Sequence, residues 1–254
     1  MLESPNSYEY AVRFENVTKS IGGRMVLRGV SFAVRRGEIF CLIGPNGAGK
    51  TTSLRIASGV IGYDSGSVYL FDRRDGQLDP GLRVYTGYLP EDAGAYRNMR
   101  GIEFIRFIAE IYASRGPSRL SVEEMIQRAV EISGLGDRLE SRIKTYSKGM
   151  TRRLLLAVTL MTEPLLAILD EPNSGLDVYH TVRMRNAILS YARRTGASVL
   201  LSSHNMLEVE YLCDSVALIA DGRIVDTGTP NYLKEKYNAE NLEEAFIAAI
   251  GRAG

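Results

Sequence analysis

Gly44-Pro45-Asn46-Gly47-Ala48-Gly49-Lys50-Thr51 fits G-x-x-x-x-G-K-[ST] at every fixed position. Upstream, Glu38 to Ile43 is a short apolar run of the kind buried in a central sheet. Downstream, Lys50 to Ser58 opens a helix. The glycines let backbone N–H groups point inward and wrap a phosphate without side-chain obstruction. The helix N-terminus adds partial positive charge at the same point. Lys50 supplies a full charge to β- and γ-phosphates, and Thr51 offers a hydroxyl to Mg²⁺. Gly44, Pro45, Asn46, Gly47, Ala48, Gly49, Lys50, Thr51 and Thr52 are therefore the candidate nucleotide-phosphate residues. Alone, the loop predicts a P-loop nucleotide-binding fold and no particular reaction.

A second apolar run narrows the reaction. Leu165 to Leu169 reads as a buried strand ending in Asp170-Glu171. Open α/β sheets place ligands at the C-terminal ends of their strands. Asp170 is positioned for Mg²⁺, and Glu171 for orienting and deprotonating an attacking water.

Between and around these runs the pattern changes twice. Residues 8–17 and 24–34 are rich in β-formers, with Gly22-Gly23 as the turn between them. From about 91 to 163 the spacing is helical. Ile102, Ile105, Ile108 and Tyr112 recur on one face, and Ser121 with Glu124 forms a capping-box pattern before a second helix. Then α/β alternation returns: a helix from Val178 to Arg194 stopped at Gly196, and a strand from Ser198 to Leu201. A hairpin follows over Ser215–Ala220 and Arg223–Asp226 around Asp221-Gly222. The tail from Pro230 is helical. The expected fold is α/β: a RecA-like P-loop core with an N-terminal antiparallel β subdomain and an inserted α-helical lobe. All 254 residues form one domain: core 1–90 and 164–229, lobe 91–163, helical tail 230–254.

Composition sets limits. Apolar residues make up 45% of the chain, enough for a substantial core, and 31 basic residues balance 30 acidic ones. The formal net charge of +1 is too small to draw the whole molecule to nucleic acid or an anionic surface. Cys41 and Cys213 read as buried small hydrophobes. His180 and His204 lack partners at metal-ligand spacing. The polar, acidic start MLESPNSYEYAVRF is unlike a signal peptide, and no run approaches the ~18 apolar residues of a membrane span. A cytoplasmic chain is expected, with any membrane role exerted through a partner.

Four motifs in order resemble one family across essentially the whole chain. Tyr146-Ser147-Lys148-Gly149-Met150 resembles the signature of the ATP-binding cassette (ABC) ATPases. Asp170-Glu171-Pro172-Asn173-Ser174-Gly175-Leu176-Asp177 is similar to their acid pair and D-loop, and Ser202-Ser203-His204 to their H-loop. The resemblance implies ATP with Mg²⁺, hydrolysis with Glu171, His204 and Lys50 as catalytic residues, and His204 as the γ-phosphate sensor. It implies that Ser147 and Gly149 complete the site of a second copy or a paired ABC ATPase. It implies a multi-span membrane permease as partner, contacted near Glu91 and from Ala93 to Tyr112, where Tyr96, Met99 and Phe104 are the apolar candidates. It places the protein on the inner face of the membrane. The alternative is a soluble ABC-type ATPase uncoupled from transport. No nucleic-acid partner is expected.

The chain departs from the family pattern in three places. The signature carries Tyr146, Lys148 and Met150 where Leu, Gly and Gln are usual. Glu91 stands where the family has a Gln that ligates the metal, a change resembling exporters with separate ATPase and permease chains. Ile21 stands where an aromatic residue stacks on adenine, which lowers stacking by about 1 kcal/mol and predicts tolerance of GTP. His180 reads as a solvated helix residue.

Overall fold

A computed structural model describes residues 7–75, 80–114 and 120–253; the first six residues of the polar N-terminal stretch lie outside the described residues. The chain begins with the antiparallel hairpin β1 (Tyr10–Ile21) and β2 (Arg24–Arg35). β1 runs past Val17, where the sequence pattern stops, because a register irregularity between Phe14 and Val17 breaks the alternation, and Asn16 there adopts φ 50. β3 (Ile39–Ile43) leads into the glycine loop and α1 (Lys50–Ser58). Then come β4 (Ser65–Leu70), β5 (Arg73–Arg74), the short α2 (Pro80–Arg83) and β6 (Thr86–Leu89).

The next described elements are helical: α3 (Gly101–Ser114), α4 (Val122–Ser133) and α5 (Lys148–Leu160), with 3₁₀ turns at Gly136–Glu140 and Ile143–Thr145. The Ser121–Glu124 box caps α4 in both directions. Thereafter the chain alternates through β7 (Leu166–Leu169), α6 (Val178–Thr195), β8 (Ser198–Ser203) and α7 (Met206–Leu212). It closes with the hairpin β9 (Ser215–Ala220) and β10 (Arg223–Gly228), then α8 (Pro230–Tyr237) and α9 (Leu242–Ala253).

Two sheets result. One has the order β2-β1-β4-β5 and is antiparallel; the other has the order β10-β9-β3-β8-β7-β6, parallel except for β10. The apolar run of β3 serves two cores at once, since successive side chains point to opposite faces. Ile39, Cys41 and Ile43 pack with the helical segment and α6, whereas Phe40 and Leu42 pack with α1 and the antiparallel sheet. Stacked rings bridge the layers, Phe14–Phe32 at 4.6 Å and Phe32–Phe40 at 5.6 Å between centroids. Each buried aromatic or aliphatic side chain contributes about 1.5–3 kcal/mol, so β3 is anchored from both sides. Among the described residues no helix is long and apolar enough to cross a membrane.

Candidate functional site

Because β3, β6, β7 and β8 run parallel, their C-terminal ends meet at one edge of the sheet. Each delivers a different group there. β3 feeds the glycine loop, β6 feeds Pro90-Glu91, β7 feeds Asp170-Glu171, and β8 feeds His204. Pro45, Asn46, Gly47, Gly49, Lys50, Thr51, Thr52, Glu91 and Glu171 line a common cleft, together with Val26.

Two glycines show why the loop tolerates no side chain. A Cβ on Gly44 would lie 2.1 Å from the Ile219 carbonyl oxygen, and one on Gly49 2.6 Å from Leu27. Gly49 also holds φ 108, which side chains disfavour. The loop is braced by the β9–β10 turn, whose Gly222 N–H donates to the Ala48 carbonyl at 3.1 Å. That turn places φ 47 at Asp221 and φ 73 at Gly222, both positive as a two-residue hairpin requires.

Lys50 is buried, and its ammonium donates to the carbonyls of Gly44 (2.6 Å) and Pro45 (3.2 Å). It also lies 3.5 Å from Glu171 Oε1. The other oxygen of Glu171 is 2.8 Å from His204 Nδ1. A chain of lysine, carboxylate and imidazole therefore runs from the cleft to His204. Glu171 itself adopts φ 44, an unfavourable backbone state for a residue with a side chain, of the sort held at functional sites.

Asp170 is fully buried. Its Oδ1 accepts from Ser202 Oγ (2.6 Å) and Thr51 Oγ1 (3.2 Å), while Oδ2 has no partner. Burial pushes the Asp170 carboxyl above its ordinary range, against the two hydrogen bonds that lower it. A buried carboxylate with one vacant oxygen beside a threonine hydroxyl fits a hard cation. Mg²⁺ takes one or two protein oxygens and completes its octahedron with phosphates and water.

Two residues hold this edge together: Ser202, which the sequence offers only as part of Ser202-Ser203-His204 with no role of its own, and Arg152, which it does not single out. Ser202 donates to Asp170, and its oxygen accepts from the Glu171 N–H at 2.9 Å. Arg152, buried on α5, donates to five carbonyls: Pro90, Glu91, Asp170, Glu171 and Pro172. A serine in a buried strand and an arginine on an apolar helix face were the available signals, since each needs a partner inside.

Other candidates stand apart. Ile21 sits at the tip of β1, 51% exposed, and Val26 is the hairpin residue that borders the cleft. Ser147 caps α5 by accepting from the Met150 N–H at 3.1 Å, and neither it nor Gly149 borders the cleft. His180 is not solvated as the sequence suggested. Its side chain is 16% exposed, and its ring lies over Gly149, 2.3 Å from where a Cβ would be. The ring, three residues beyond the Asp177 cap of α6, turns inward against Gly149, where no side chain blocks it. Cys41 and Cys213 are both buried, with their thiols adjacent. Burial, then the neighbouring thiol, pushes Cys41 well above the ordinary thiol range, so it is protonated and inert.

Residues 27–174 match the family model of the ABC transporter. The chain belongs to the ABC transporter family. Its ATP-binding relatives include the linearmycin resistance ATP-binding protein LnrL of Bacillus subtilis (strain 168), 32% identical over 243 residues that span 94% of this chain and 76% of the relative. The lantibiotic transport ATP-binding protein SrtF of Streptococcus pyogenes is 33% identical over 236 residues, 92% of this chain and 95% of that one. A solved ATP-binding subunit of an ABC transporter superposes with TM-score 0.81 at 27% identity, covering 94% and 99% of the two chains. A dimeric cassette in a post-hydrolysis state, bound to ADP and Pi, shares the fold with TM-score 0.74 at 19% identity, over 86% and 98%. This ABC member is thus an ATP-binding ATPase domain with the P-loop fold.

Proposed function

We propose that two copies of this chain, or one copy and a paired ABC ATPase, close head to tail around MgATP and drive a separate membrane permease. The observation that carries this reading is the division of the site. Lys50, Thr51, Glu91 and Glu171 share one cleft, whereas Ser147 and Gly149 lie outside it at the N-terminus of α5. N–H groups at a helix start bind anions, and a second chain would bring that start to the γ-phosphate. The names of LnrL and SrtF, concerned with resistance and lantibiotic transport, agree with an export role. The site would lie at the inner membrane surface, held there by the permease near Glu91 and the exposed Tyr96.

Each residue then has one task. The glycine loop and Lys50 hold the β- and γ-phosphates. Lys50 leaves Glu171 and the two loop carbonyls to do so. Glu171 takes a proton from the attacking water, and His204 holds the carboxylate in line and contacts the γ-phosphate. Thr51, Asp170 and Glu91 would hold Mg²⁺, which neutralises phosphate charge when bound. Ser202 and Arg152 fix the carboxylates and their backbone. Hydrolysis removes the γ-phosphate that joins the two chains, and the pair opens.

Ser147→Arg tests the division of the site. The variant should bind MgATP as the wild type does, yet lose hydrolysis and remain monomeric by light scattering. Wild-type turnover in this variant would refute the shared site.

Asp170→Asn tests the cation reading. The raised pKa means that, above it, folding holds a carboxylate that would ionise more readily in the unfolded chain. Stability therefore declines as pH rises from the unfolded value through the raised folded one, and the full penalty stands at neutral pH. The neutral amide removes it. The nucleotide-free variant should melt at or above the wild-type temperature at pH 7.5 while losing the stabilisation given by MgATP. A variant that still gains wild-type stabilisation from MgATP would contradict the assignment.

A further inference from the structure

The proposed reaction leaves one large cleft unused. It lies between the C-terminal end of α4 and the outer flank of α6, and encloses about 680 Å³, within the range of small-ligand sites. It shares no lining residue with the nucleotide cleft. One wall is apolar: Val178 is 81% and Tyr179 60% exposed, and Val182 continues the face one turn on.

The other wall is cationic. Arg153 is buried, keeping 9% of its surface, and lines the cleft with Arg183. Its Nη1 donates to the Gly134 carbonyl at 3.3 Å, capping the end of α4, but its Nε has no partner. Burial first, then the neighbouring cation Arg183, lowers its pKa, and Tyr179 opposes them. Among the described residues no ion pair is formed by Arg153 or Arg183. Arg183 instead lies over the Tyr179 ring at 5.0 Å. A desolvated guanidinium without a counter-ion is costly to hold, and the Gly134 bond accounts for only one of its donors.

We propose that this cleft binds an amphiphilic monocarboxylate, its head on Arg153 and Arg183 and its apolar body on Val178, Val182 and Tyr179. The planar guanidinium fork matches the two oxygens of a carboxylate. Glu131 on the rim disfavours a second negative charge. The ligand bridges α4 and α5 to α6, and so braces the helical segment against the parallel-sheet core.

The test is calorimetric titration of the intact protein with decanoate, and with decanol as the uncharged counterpart. Decanoate should bind saturably at one site and decanol should not. Arg183→Gln, on an exposed side chain, should weaken decanoate at least tenfold while leaving MgADP affinity unchanged. Arg153→Gln should do the same; if that variant does not fold, the Arg183→Gln result decides. Equal binding of decanol, wild-type decanoate affinity in Arg183→Gln, or no saturable binding below the micellar threshold would each overturn the proposal.

Discussion

Glu171→Gln is expected to lower ATP turnover by about a hundredfold or more, the usual contribution of a positioned general base, while nucleotide still binds. The substitution keeps the size of the side chain and a hydrogen-bonding partner for His204, now 2.8 Å from Oε2. It removes the ability to accept a proton. It also removes the negative partner of Lys50, 3.5 Å away, so the ammonium is free for phosphate and ATP should bind at least as tightly as before. Uncleaved ATP would then hold two copies together. Phosphate release measures the first effect, and light scattering with and without MgATP the second. Turnover within tenfold of wild type would remove Glu171 from its proposed role. A monomer that retains trapped MgATP would instead remove the dimer.

The second large effect is on stability. Arg152→Met should lower the melting temperature by about 10 °C, corresponding to a loss of about 3–5 kcal/mol. The arginine donates to carbonyls from two separate stretches, Pro90-Glu91 and Asp170-Glu171-Pro172. Methionine fills similar volume but takes the donors from the Glu91, Asp170 and Pro172 carbonyls, at about 1–3 kcal/mol for each one left unsatisfied, while Pro90 and Glu171 keep the N–H groups of Ala93 and Ser174. Relief of the arginine's own desolvation offsets part of this. Arg152→Lys should recover little, since one ammonium cannot reach both stretches. Calorimetry on the nucleotide-free protein gives the answer, and a shift under about 2 °C would show that water replaces the guanidinium.

The elements legible in the sequence were those with local rules. The helix from Lys50 to Ser58, the Ser121–Glu124 box and the Asp221-Gly222 hairpin each announce themselves within a few residues. β4, β5 and β6 did not, because they are short and their pairing is decided elsewhere: β4 on β1, and β6 on β7. The candidate site divides in the same way. The glycine loop and acid pair carry motifs, and the parallel sheet gathers them because their strands end at one edge. Arg152 carries none, and the Ser202-Ser203-His204 motif does not reveal what Ser202 itself does. Their partners are backbone atoms and a carboxylate distant in sequence, visible only once β7, β8 and α5 are side by side. His180 was misread for a related reason: nothing near it in sequence reveals the bare Cα of Gly149 across the helix interface.

The turn at Asp221-Gly222 has a bearing on how the protein is made. Its Gly222 N–H meets the Ala48 carbonyl, and its carbonyl accepts from the Arg28 N–H at 2.8 Å, so a turn far downstream braces the glycine loop. During synthesis the early glycine loop emerges from the ribosome long before that brace exists. Such distant pairings form late. The phosphate cradle therefore gains this brace only after Gly222 has joined the growing chain.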